Sequence, residues 1–413
     1  MEQTGLFHWP ALPHPALVAT TTAVATASLL LLAKLTLWPR NRPVLQSPLK
    51  TVIPRTPKTE LDQLAYLPDT FPGARDVDTP YGSIRVYEFG PPAGDKVLLV
   101  HGISTSCIAL GRIAHALVAR GCRVMLFDLF GRGFSDGVGD LPHDARLYTS
   151  QLLLVLASSP LAWTGAAGFR LVGYSLGGAV VVPFANAFPH MVSSLVLLAP
   201  AGLIDAAAFG AVSRFVFSSG LVPERILAVL TGRRLQRPLA SSVAARARAA
   251  VALAAAEAKA EAAPGTDTDT DTRTDTDTDT GSGSAGPPPL EARVSDYVRW
   301  MVRHHDGFVP AFMSCVRHAP LTGQHRQWRG LATRPPGTTA VILARADELI
   351  RADEYAHGLE LAGGAGRVFW RVVPGGHDFV MTHVDDVMRQ LDEFWGPGRR
   401  AGAAVNAPGR VHL

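Results

Sequence analysis

Short apolar runs that alternate with helical stretches constrain the fold of this chain more than any other feature of its sequence. Each run has four to six residues, rich in Val, Leu and Phe and without strict polar alternation. Such runs are typical of strands that are buried on both faces of a parallel sheet. The runs cover residues 84–89, 97–100, 124–127, 169–172, 195–198, 341–344 and 368–373. Helical stretches such as 108–120 and 144–157 lie between them. The sequence therefore predicts an α/β fold: a mostly parallel central sheet flanked by helices, with run 84–89 as an antiparallel edge strand.

The composition excludes several broad classes of protein. Of the 413 residues, 47% are hydrophobic and 18% are charged, which is too apolar for a wholly disordered chain. The 39 Lys and Arg residues and the 35 Asp and Glu residues are spread along the chain, and no basic block indicates nucleic-acid binding. The three cysteines, Cys107, Cys122 and Cys315, have no metal-ligand spacing and are odd in number. We therefore expect neither a disulfide scaffold nor a zinc module.

The N-terminal region contains a candidate membrane span. Residues 16–33 carry no charged side chain, and the apolar character continues to residue 38. A bilayer-spanning helix needs about 20 mainly apolar residues, so we predict a transmembrane anchor over residues 16–38, preceded by a short segment, 1–15. A cleaved signal peptide is the alternative. It requires a basic start, whereas Glu2 is the only charged residue before Lys34.

Basic residues on one side of this segment predict its orientation. No Lys or Arg precedes it, and several follow it closely: Lys34, Arg40, Arg42, Lys50, Arg55 and Lys58. Because Lys and Arg accumulate on the cytoplasmic side of a span, we expect the rest of the chain to face the cytosol. In a eukaryotic cell the endoplasmic reticulum is the default membrane for such an anchor.

The remaining sequence divides into five regions. Residues 39–70 are rich in proline and predict an extended linker, and residues 71–202 form the first part of the α/β core. The strand pattern is then interrupted for about 140 residues, too long for a loop, so residues 203–335 are expected to form an inserted helical lid. Within the lid, residues 264–289 carry a Thr-Asp repeat with almost no apolar side chain, which predicts disorder. Residues 336–395 complete the core, and 396–413 form a flexible tail.

A serine between two glycines is the first candidate for chemistry. Ser175 lies in the sequence Gly173-Tyr-Ser-Leu-Gly177, where a predicted strand ends and an apolar helix begins. Small flanking residues allow a sharp turn that holds a strained serine with its hydroxyl exposed at the edge of the sheet. The helix that follows directs its N-terminus at the same point and favours negative charge there.

A histidine and an acid complete a candidate triad. His377 follows the last predicted strand on a Pro-Gly-Gly loop, where its imidazole can accept the serine proton. Asp347 follows the strand 341–344 and can hold the imidazole in the correct tautomer. Asp205, which also lies just after a predicted strand, is a competing choice of acid. Asp378 adjoins the histidine but is expected to point away from it.

Two backbone amides are candidates for an oxyanion hole. His101-Gly102-Ile103 directly follows the strand 97–100, and a glycine there lets the backbone present amide hydrogens to the cleft. The amides of Ile103 and Leu176 are expected to stabilise the developing oxyanion. His101 is expected to be a structural residue of the turn.

Together these motifs resemble the α/β-hydrolase fold superfamily, and among its branches the lipases and esterases with a helical lid. The resemblance covers about residues 76–395 and includes the loop Asp128-Leu-Phe-Gly131-Arg-Gly133-Phe-Ser135, which is similar to the motif D-x-x-G-x-G-x-S. It implies Ser175 as nucleophile, His377 as base, Asp347 as orienting acid, and the Ile103 and Leu176 amides as oxyanion hole. Epoxide hydrolases and haloalkane dehalogenases carry an Asp at the position of Ser175, which counts against both.

The expected function is therefore that of a membrane-anchored serine hydrolase. It would cleave carboxylic esters, and the aromatic residues of the lid favour lipophilic ones. No metal or organic cofactor is implied, the partners are the ester substrate and the membrane, and no oligomeric state follows from the sequence. The same triad serves carbon–carbon hydrolysis, amide hydrolysis and acyl transfer to an alcohol. A non-catalytic receptor that keeps the pocket is the competing class.

Overall fold

The computed structural model describes residues 15–37, 42–165, 168–205, 216–217, 219, 221–236 and 289–396. Several expected segments lie outside these residues. They are the N-terminal segment up to residue 14, the Thr-Asp repeat up to residue 288, and the tail after residue 396.

An eight-stranded sheet forms the centre of the protein. Its strands are β2 (Ala74–Thr79), β3 (Gly82–Phe89), β4 (Lys96–Val100), β5 (Arg123–Phe127), β7 (Phe169–Tyr174), β8 (Val192–Leu198), β9 (Thr339–Ala344) and β10 (Val368–Val373). Their spatial order is β10-β9-β8-β7-β4-β5-β3-β2. The six strands from β10 to β5 run parallel, whereas β3 and β2 are antiparallel to their neighbours. The predicted α/β class with a mostly parallel sheet is confirmed.

Burial on both faces explains why the apolar runs lack alternation. Every residue of β7 and β9 is buried, as are the last four residues of β4 and of β5. The prediction of run 84–89 as the edge strand is wrong, since β2 pairs with β3 on its outer side. The polar sequence of β2, Ala-Arg-Asp-Val-Asp-Thr, alternates between exposed and half-buried positions and has too little apolar content to be found as a strand.

Helices cover both faces of the sheet. In chain order they are α1 (Pro15–Leu37), α2 (Pro48–Thr51), α3 (Lys58–Leu61), α4 (Gly111–Ala119), α5 (Ala145–Ala157), α6 (Leu176–Ala187), α7 (Glu224–Leu235), α8 (Leu290–His304), α9 (Phe308–His318), α10 (His325–Leu331), α11 (Ala356–Leu361), α12 (Phe379–Thr382) and α13 (Val384–Trp395). Helices α4 and α13 pack together, and α6 contacts both α5 and α10. In α13, the buried residues recur every three or four positions and form one apolar stripe against the sheet: Val384, Val387, Met388, Leu391 and Trp395.

The segment expected to be an extended linker is docked on the core over its described part, residues 42–70. A two-residue strand, β1 (Val44–Leu45), pairs with β6 (Gly137–Val138), and the Ser47 amide donates to the Asp136 carboxylate at 2.8 Å. Tyr66 is fully buried. Pro48 occupies the first turn of α2, where a helix tolerates a missing amide hydrogen. Among the prolines that suggest a linker, Pro48, Pro54 and Pro57 therefore lie at the starts of short helices.

The lid insertion is narrower than its expected range, 203–335. Its described helices are α7, α8 and α9. Helix α10 belongs to the core, because Gln324 donates to the Ala179 carbonyl and Asn186 donates to the Gln327 carbonyl, each at 2.8 Å. Ala179 and Asn186 both lie on α6, which covers the sheet. The chain has therefore returned to the core before residue 335.

The N-terminal helix α1 stands apart from the core. Within it, residues Leu17–Lys34 have a mean hydropathy of 1.6, and none of this window is buried. Thr21 bonds back to the Leu17 carbonyl at 2.9 Å, which satisfies its hydroxyl within the helix. By length and composition this is the one helix of the described residues that can span a bilayer, and an N-terminal signal sequence meets the same criteria.

Candidate active site

Ser175 lies at the turn between β7 and α6 in a strained backbone conformation. Its φ of 55° and ψ of −118° lie in a region that residues with a side chain rarely adopt. The turn is held in place because the Ser175 amide donates to the Leu198 carbonyl at 3.0 Å and the Ala201 amide donates to the Ser175 carbonyl at 2.9 Å. The strain at this serine is thus stabilised by the end of the neighbouring strand, β8.

The two glycines of the motif are required by close backbone contacts. A Cβ at Gly173 would lie 2.6 Å from the Gly177 carbonyl oxygen, and a Cβ at Gly177 would lie 2.2 Å from the Val100 carbonyl oxygen. Both distances are far below van der Waals contact. Larger residues would separate α6 from β4 and β7, and the turn that presents Ser175 would not form.

His377 and Ser175 are joined by a hydrogen bond, and Asp347 lies on the other side of the imidazole. The His377 Nδ1 atom lies 2.7 Å from Asp347 Oδ2, and Nε2 lies 2.9 Å from Ser175 Oγ. Because an ionised carboxylate only accepts hydrogen bonds, Nδ1 carries the proton. Nε2 is then free to accept the hydroxyl hydrogen of Ser175, as a general base does.

The loops after β9 and β10 bring the acid and the histidine together. The Arg345 amide donates to the Val373 carbonyl and the Ala346 amide to the Gly375 carbonyl, each at 2.9 Å. Asp347 is itself held in place, since its Oδ1 accepts from the amides of Leu349 and Ile350 at 2.9 and 2.8 Å. Its side chain is fully buried. Oδ2 is therefore directed at the imidazole.

The Nδ1 atom of His377 is bonded to Asp347 rather than to a competing acid. Asp205 is exposed and lines a surface depression together with His325 and His357. Asp378 begins helix α12, directly after the histidine, while Nδ1 of His377 bonds to Asp347. The geometry thus brings Ser175, Asp347 and His377 together.

The amides of Ile103 and Leu176 flank the serine. Leu176 is the first residue of α6, and the neighbouring Gly102 is so close that a Cβ there would lie 3.3 Å from Ser175 Cβ. Among the described residues, neither of the two amides has a hydrogen-bond acceptor. Unpaired amides beside a nucleophile can stabilise an oxyanion, and that of Leu176 also lies at a helix N-terminus.

His101 is a structural residue, as the sequence predicts. It is fully buried, its Nδ1 donates to the Gly102 carbonyl at 2.9 Å, and its Nε2 accepts from the Leu129 amide at 2.9 Å. Burial lowers its pKa to about 3, so the ring is neutral. Since both nitrogens are occupied, His101 fixes the turn before Ile103.

Two supporting residues lie inside the motifs but are not found by sequence reasoning. Tyr174, the variable residue before Ser175, donates its hydroxyl to the His377 carbonyl at 2.7 Å, and its ring centroid lies 5.3 Å from that of the imidazole. Burial, reinforced by the Asp347 carboxylate, raises its pKa, so the hydroxyl keeps its proton and remains a donor. The pattern G-x-S-x-G leaves this position open, and only the fold shows its contact with the base.

Arg132 is the second residue of this kind. It is fully buried, and its Nε donates to the Ile103 carbonyl at 3.0 Å, so it anchors the backbone of an oxyanion-hole candidate. The same guanidinium contacts Cys315 Sγ of the lid helix α9 at 3.2 Å. Arg132 therefore connects the lid with the loop that follows β4. A Gly-Arg-Gly sequence carries no local signal of this contact.

The apolar lid residues that suggest a lipophilic substrate have different roles. Met301 and Phe308 are fully buried and form part of the hydrophobic core. Phe217, Trp300 and Phe312 are half-buried, and Phe215 lies outside the described residues. In the described part of the chain, no group of three or more His, Cys, Asp or Glu side chains is arranged to hold a metal ion.

Sequence comparison finds hydrolases. The family model described as serine aminopeptidase, S33 matches residues 91–264. The chain is 33% identical over 122 residues to lipase LipV of Mycobacterium tuberculosis, covering 30% of this chain and 43% of the lipase. It is 32% identical over 113 residues to a 2-hydroxy-6-oxo-2,4-heptadienoate hydrolase of Pseudomonas putida, covering 27% of this chain and 39% of that enzyme. The matches thus span about two fifths of the length of these relatives.

Structure comparison extends the similarity to most of the chain. A bromoperoxidase from Bacillus anthracis superposes with a TM-score of 0.52 and 18% identity over 78% of this chain and 98% of the other. Identity at this level reports on fold alone. The superposition covers 78% of the chain. This coverage is consistent with the family match over residues 91–264, and so are the order of the strands and the turn at Ser175. The chain therefore has the α/β-hydrolase fold.

Proposed function

We propose that this protein is a membrane-anchored serine hydrolase that cleaves carboxylic esters. The observation that carries the proposal is the hydrogen-bonded row of Ser175, His377 and Asp347, which begins at a strained serine. A serine hydroxyl is a weak nucleophile until a positioned base accepts its proton, and this row supplies the base.

The row and the two amides account for an acyl-transfer reaction. Ser175 Oγ attacks the ester carbonyl carbon while His377 Nε2 takes its proton, and Asp347 stabilises the resulting imidazolium. The amides of Ile103 and Leu176 stabilise the tetrahedral oxyanion. When the intermediate collapses, the C–O bond breaks and the imidazolium protonates the leaving alcohol. Water, deprotonated by the same imidazole, then attacks the acyl-enzyme. When this second intermediate collapses, the bond to Ser175 Oγ breaks, the imidazolium returns its proton to Oγ, and the acid is released.

The membrane and the substrate class rest on separate support. Helix α1 is long and apolar enough to span a bilayer and emerges unburied from the domain. An anchored domain meets its substrates at a lipid surface, and one relative is named a lipase. These observations favour a lipophilic acyl ester and a catalytic domain on the side of the basic residues that follow α1, the cytosolic side.

Carbon–carbon hydrolysis is the second candidate reaction. This reaction is favoured by the similarity to the 2-hydroxy-6-oxo-2,4-heptadienoate hydrolase, to which the chain is 32% identical over 113 residues. The same serine and histidine serve both reactions. Parallel assays with a carboxylic ester and with a 2-hydroxy-6-oxo dienoate separate them, because the second substrate has no ester bond.

Labelling with a fluorophosphonate tests the proposed chemistry directly. The wild-type protein is expected to form a covalent adduct at Ser175, since the probe needs an activated hydroxyl and an oxyanion hole. Ser175→Ala is expected to lose the label, and Ser104→Ala, beside Ile103 in the neighbouring loop, is expected to keep it. Equal labelling of the wild type and Ser175→Ala would favour the non-catalytic receptor.

Carbonate extraction and protease protection test the anchor and its orientation. The protein is expected to stay in the membrane pellet at high pH, and its catalytic domain is expected to be digested in sealed microsomes without detergent. Release by carbonate would show that α1 does not span the bilayer. Protection until detergent is added would place the domain on the lumenal side.

A further inference from the structure

Helix α7 of the lid is apolar on two opposite faces. One face is buried against the protein through Leu227, Thr231 and Leu235. On the other face Ile226, Val229 and Leu230 are 47%, 53% and 51% exposed, and Leu221 just before the helix is 70% exposed. An amphipathic lid helix needs only the first of these faces to pack. The second is an exposed apolar patch that packing of the described chain leaves unexplained.

The exposed face is also cationic. Its apolar centre is flanked by exposed arginines at both ends of the helix: Arg225, Arg233 and Arg234. The one acidic residue of α7, Glu224, is paired through both carboxylate oxygens with Arg317 of α9, at 2.8 and 2.9 Å. The outward charge of this face is therefore positive. Apolar side chains between arginines are the chemistry of helices that lie at the interface of an anionic bilayer.

The position of α7 points to the same partner. Helix α7 contacts α1, the helix that is able to span a bilayer. Of the side chains described in α1, only Ala33, near its carboxyl end, is partly covered. The domain thus lies next to the end of α1 from which the chain continues to the core, which is where a bilayer surface would be.

We propose that the exposed face of α7 docks on the surface of the anionic phospholipid bilayer into which α1 inserts. The Leu221, Ile226, Val229 and Leu230 side chains enter the headgroup boundary, and the three arginines bind lipid phosphates. This inference rests on the proposed anchoring and ester hydrolysis and narrows the substrate to acyl esters that are dissolved in the bilayer. A protein partner would have to compete with lipid for a face that adjoins the anchor.

The docked helix is connected to the site by side-chain contacts. Arg317 holds α7 to α9, and Cys315 of α9 contacts Arg132, whose guanidinium binds the Ile103 carbonyl. Docking through α7 would therefore set the lid, and the loop of Ile103 beside Ser175, close to the lipid surface. An ester in the bilayer would reach Ser175 without crossing bulk water.

Quenching by labelled lipids in reconstituted vesicles tests the docking. The native cysteines are all buried, so Val229→Cys in the full chain can be labelled selectively with an environment-sensitive fluorophore. Val372→Cys, at an exposed apolar position on β10, serves as the matched control. The vesicles contain equal parts of phosphatidylcholine and phosphatidylglycerol, or phosphatidylcholine alone.

The expected result is a blue-shifted fluorophore at position 229 that is quenched by lipids carrying a spin label near the headgroup, with position 372 unquenched. Quenching at 229 is expected to weaken in phosphatidylcholine alone, because the arginines lose their anionic partners. A fluorophore at 229 that stays in water, in protein that resists carbonate extraction, would overturn the docking and leave the anchor intact. Equal quenching in both kinds of vesicle would show that docking does not depend on anionic lipid, and this part of the proposal would be wrong.

Activity on two substrates tests the consequence for catalysis. A variant with Ile226→Gln, Val229→Gln and Leu230→Gln is expected to lose about tenfold in kcat/KM on a long-chain ester in vesicles, because less protein is docked. It is expected to keep wild-type activity on a short water-soluble ester and wild-type fluorophosphonate labelling, which also shows that it folds. Val372→Gln is expected to change neither rate.

Equal losses on both esters, or none, would overturn the link between docking and catalysis. Failure of the proposed hydrolase would be recognised differently. In that case Ser175→Ala would label and hydrolyse like the wild type, while the quenching at position 229 would be unaffected.

Discussion

Asp347 holds the imidazole through one oxygen only, which makes the residue a sharp test of the proposed chemistry. Its Oδ1 accepts from two amides, so in Asp347→Asn the amide nitrogen would take the place of Oδ2. That nitrogen donates, and His377 would have to carry its proton on Nε2, facing Ser175. We expect kcat to fall about 10²–10⁴-fold with the fold intact, measured on a soluble ester.

Asp205→Asn is the matched control for that substitution. Asp205 is exposed and lines a surface depression whose lining does not include Ser175, so the variant is expected to keep near wild-type kcat. If Asp205→Asn were inactive and Asp347→Asn active, the assignment of the acid would be wrong. If Asp347→Asn unfolds at the same temperature as the wild type, its loss of activity comes from the histidine tautomer and not from a loss of the fold.

At the scale of elements, the β7–α6 junction depends on Gly177. A Cβ at this position would lie 2.2 Å from the Val100 carbonyl oxygen and 2.8 Å from that of His101. Both are backbone atoms, at the carboxyl end of the central strand β4 and in the turn that follows it, where the chain has little room to move. Gly177→Ala is therefore expected to lower the free energy of unfolding by about 1–3 kcal/mol and to lose fluorophosphonate labelling, since Ser175 would be displaced.

Gly165→Ala provides the comparison. No heavy atom lies within 4 Å of a Cβ built on Gly165, so urea unfolding of this variant is expected to match the wild type. If Gly177→Ala were as stable and as reactive as Gly165→Ala, the close approach of α6 to β4 would not be what holds the serine in place.

At the scale of the whole molecule, three buried histidines predict acid sensitivity. Burial lowers the pKa of His101 and of His143 to about 3 and that of His305 to about 4. In the unfolded chain, histidine titrates near ~6.5. Between these values the unfolded state binds more protons than the folded state, so stability falls as the pH drops below ~6.5. Each histidine contributes a slope of up to about 1.4 kcal/mol per pH unit.

Urea unfolding at constant ionic strength, between neutral pH and pH ~5, measures this slope. Neither ring nitrogen of His143 has a hydrogen-bond partner among the described residues, so His143→Phe removes a titrating group without breaking a bond. We expect His143→Phe to reduce the slope by the contribution of one proton, which is up to about 1.4 kcal/mol per pH unit. His190→Gln, at an exposed position, is the control and is expected to leave the slope unchanged. A wild-type stability independent of pH over this interval would contradict the prediction.

The features that the sequence predicts correctly depend on neighbouring residues. Apolar runs without alternation identify strands buried on both faces, and flanking glycines identify a sharp turn, because both patterns act within a few positions of the chain. Hence the α/β class, the turn at Ser175 and the candidate histidine follow from local windows. The polar edge strand β2 lacks such a pattern, and the proline pattern of residues 42–70 indicates a linker although the segment docks.

Features that join residues far apart in the chain arise from the packing of separate elements. Asp347 and Asp205 both follow strands. The hydrogen bonds between the loops after β9 and β10 bring Asp347 to the imidazole, whereas Asp205 stays exposed. Arg132 reaches Ile103 and Cys315 only because three separate elements meet at its guanidinium. Such contacts arise from packing between elements, and no local window of the sequence carries them.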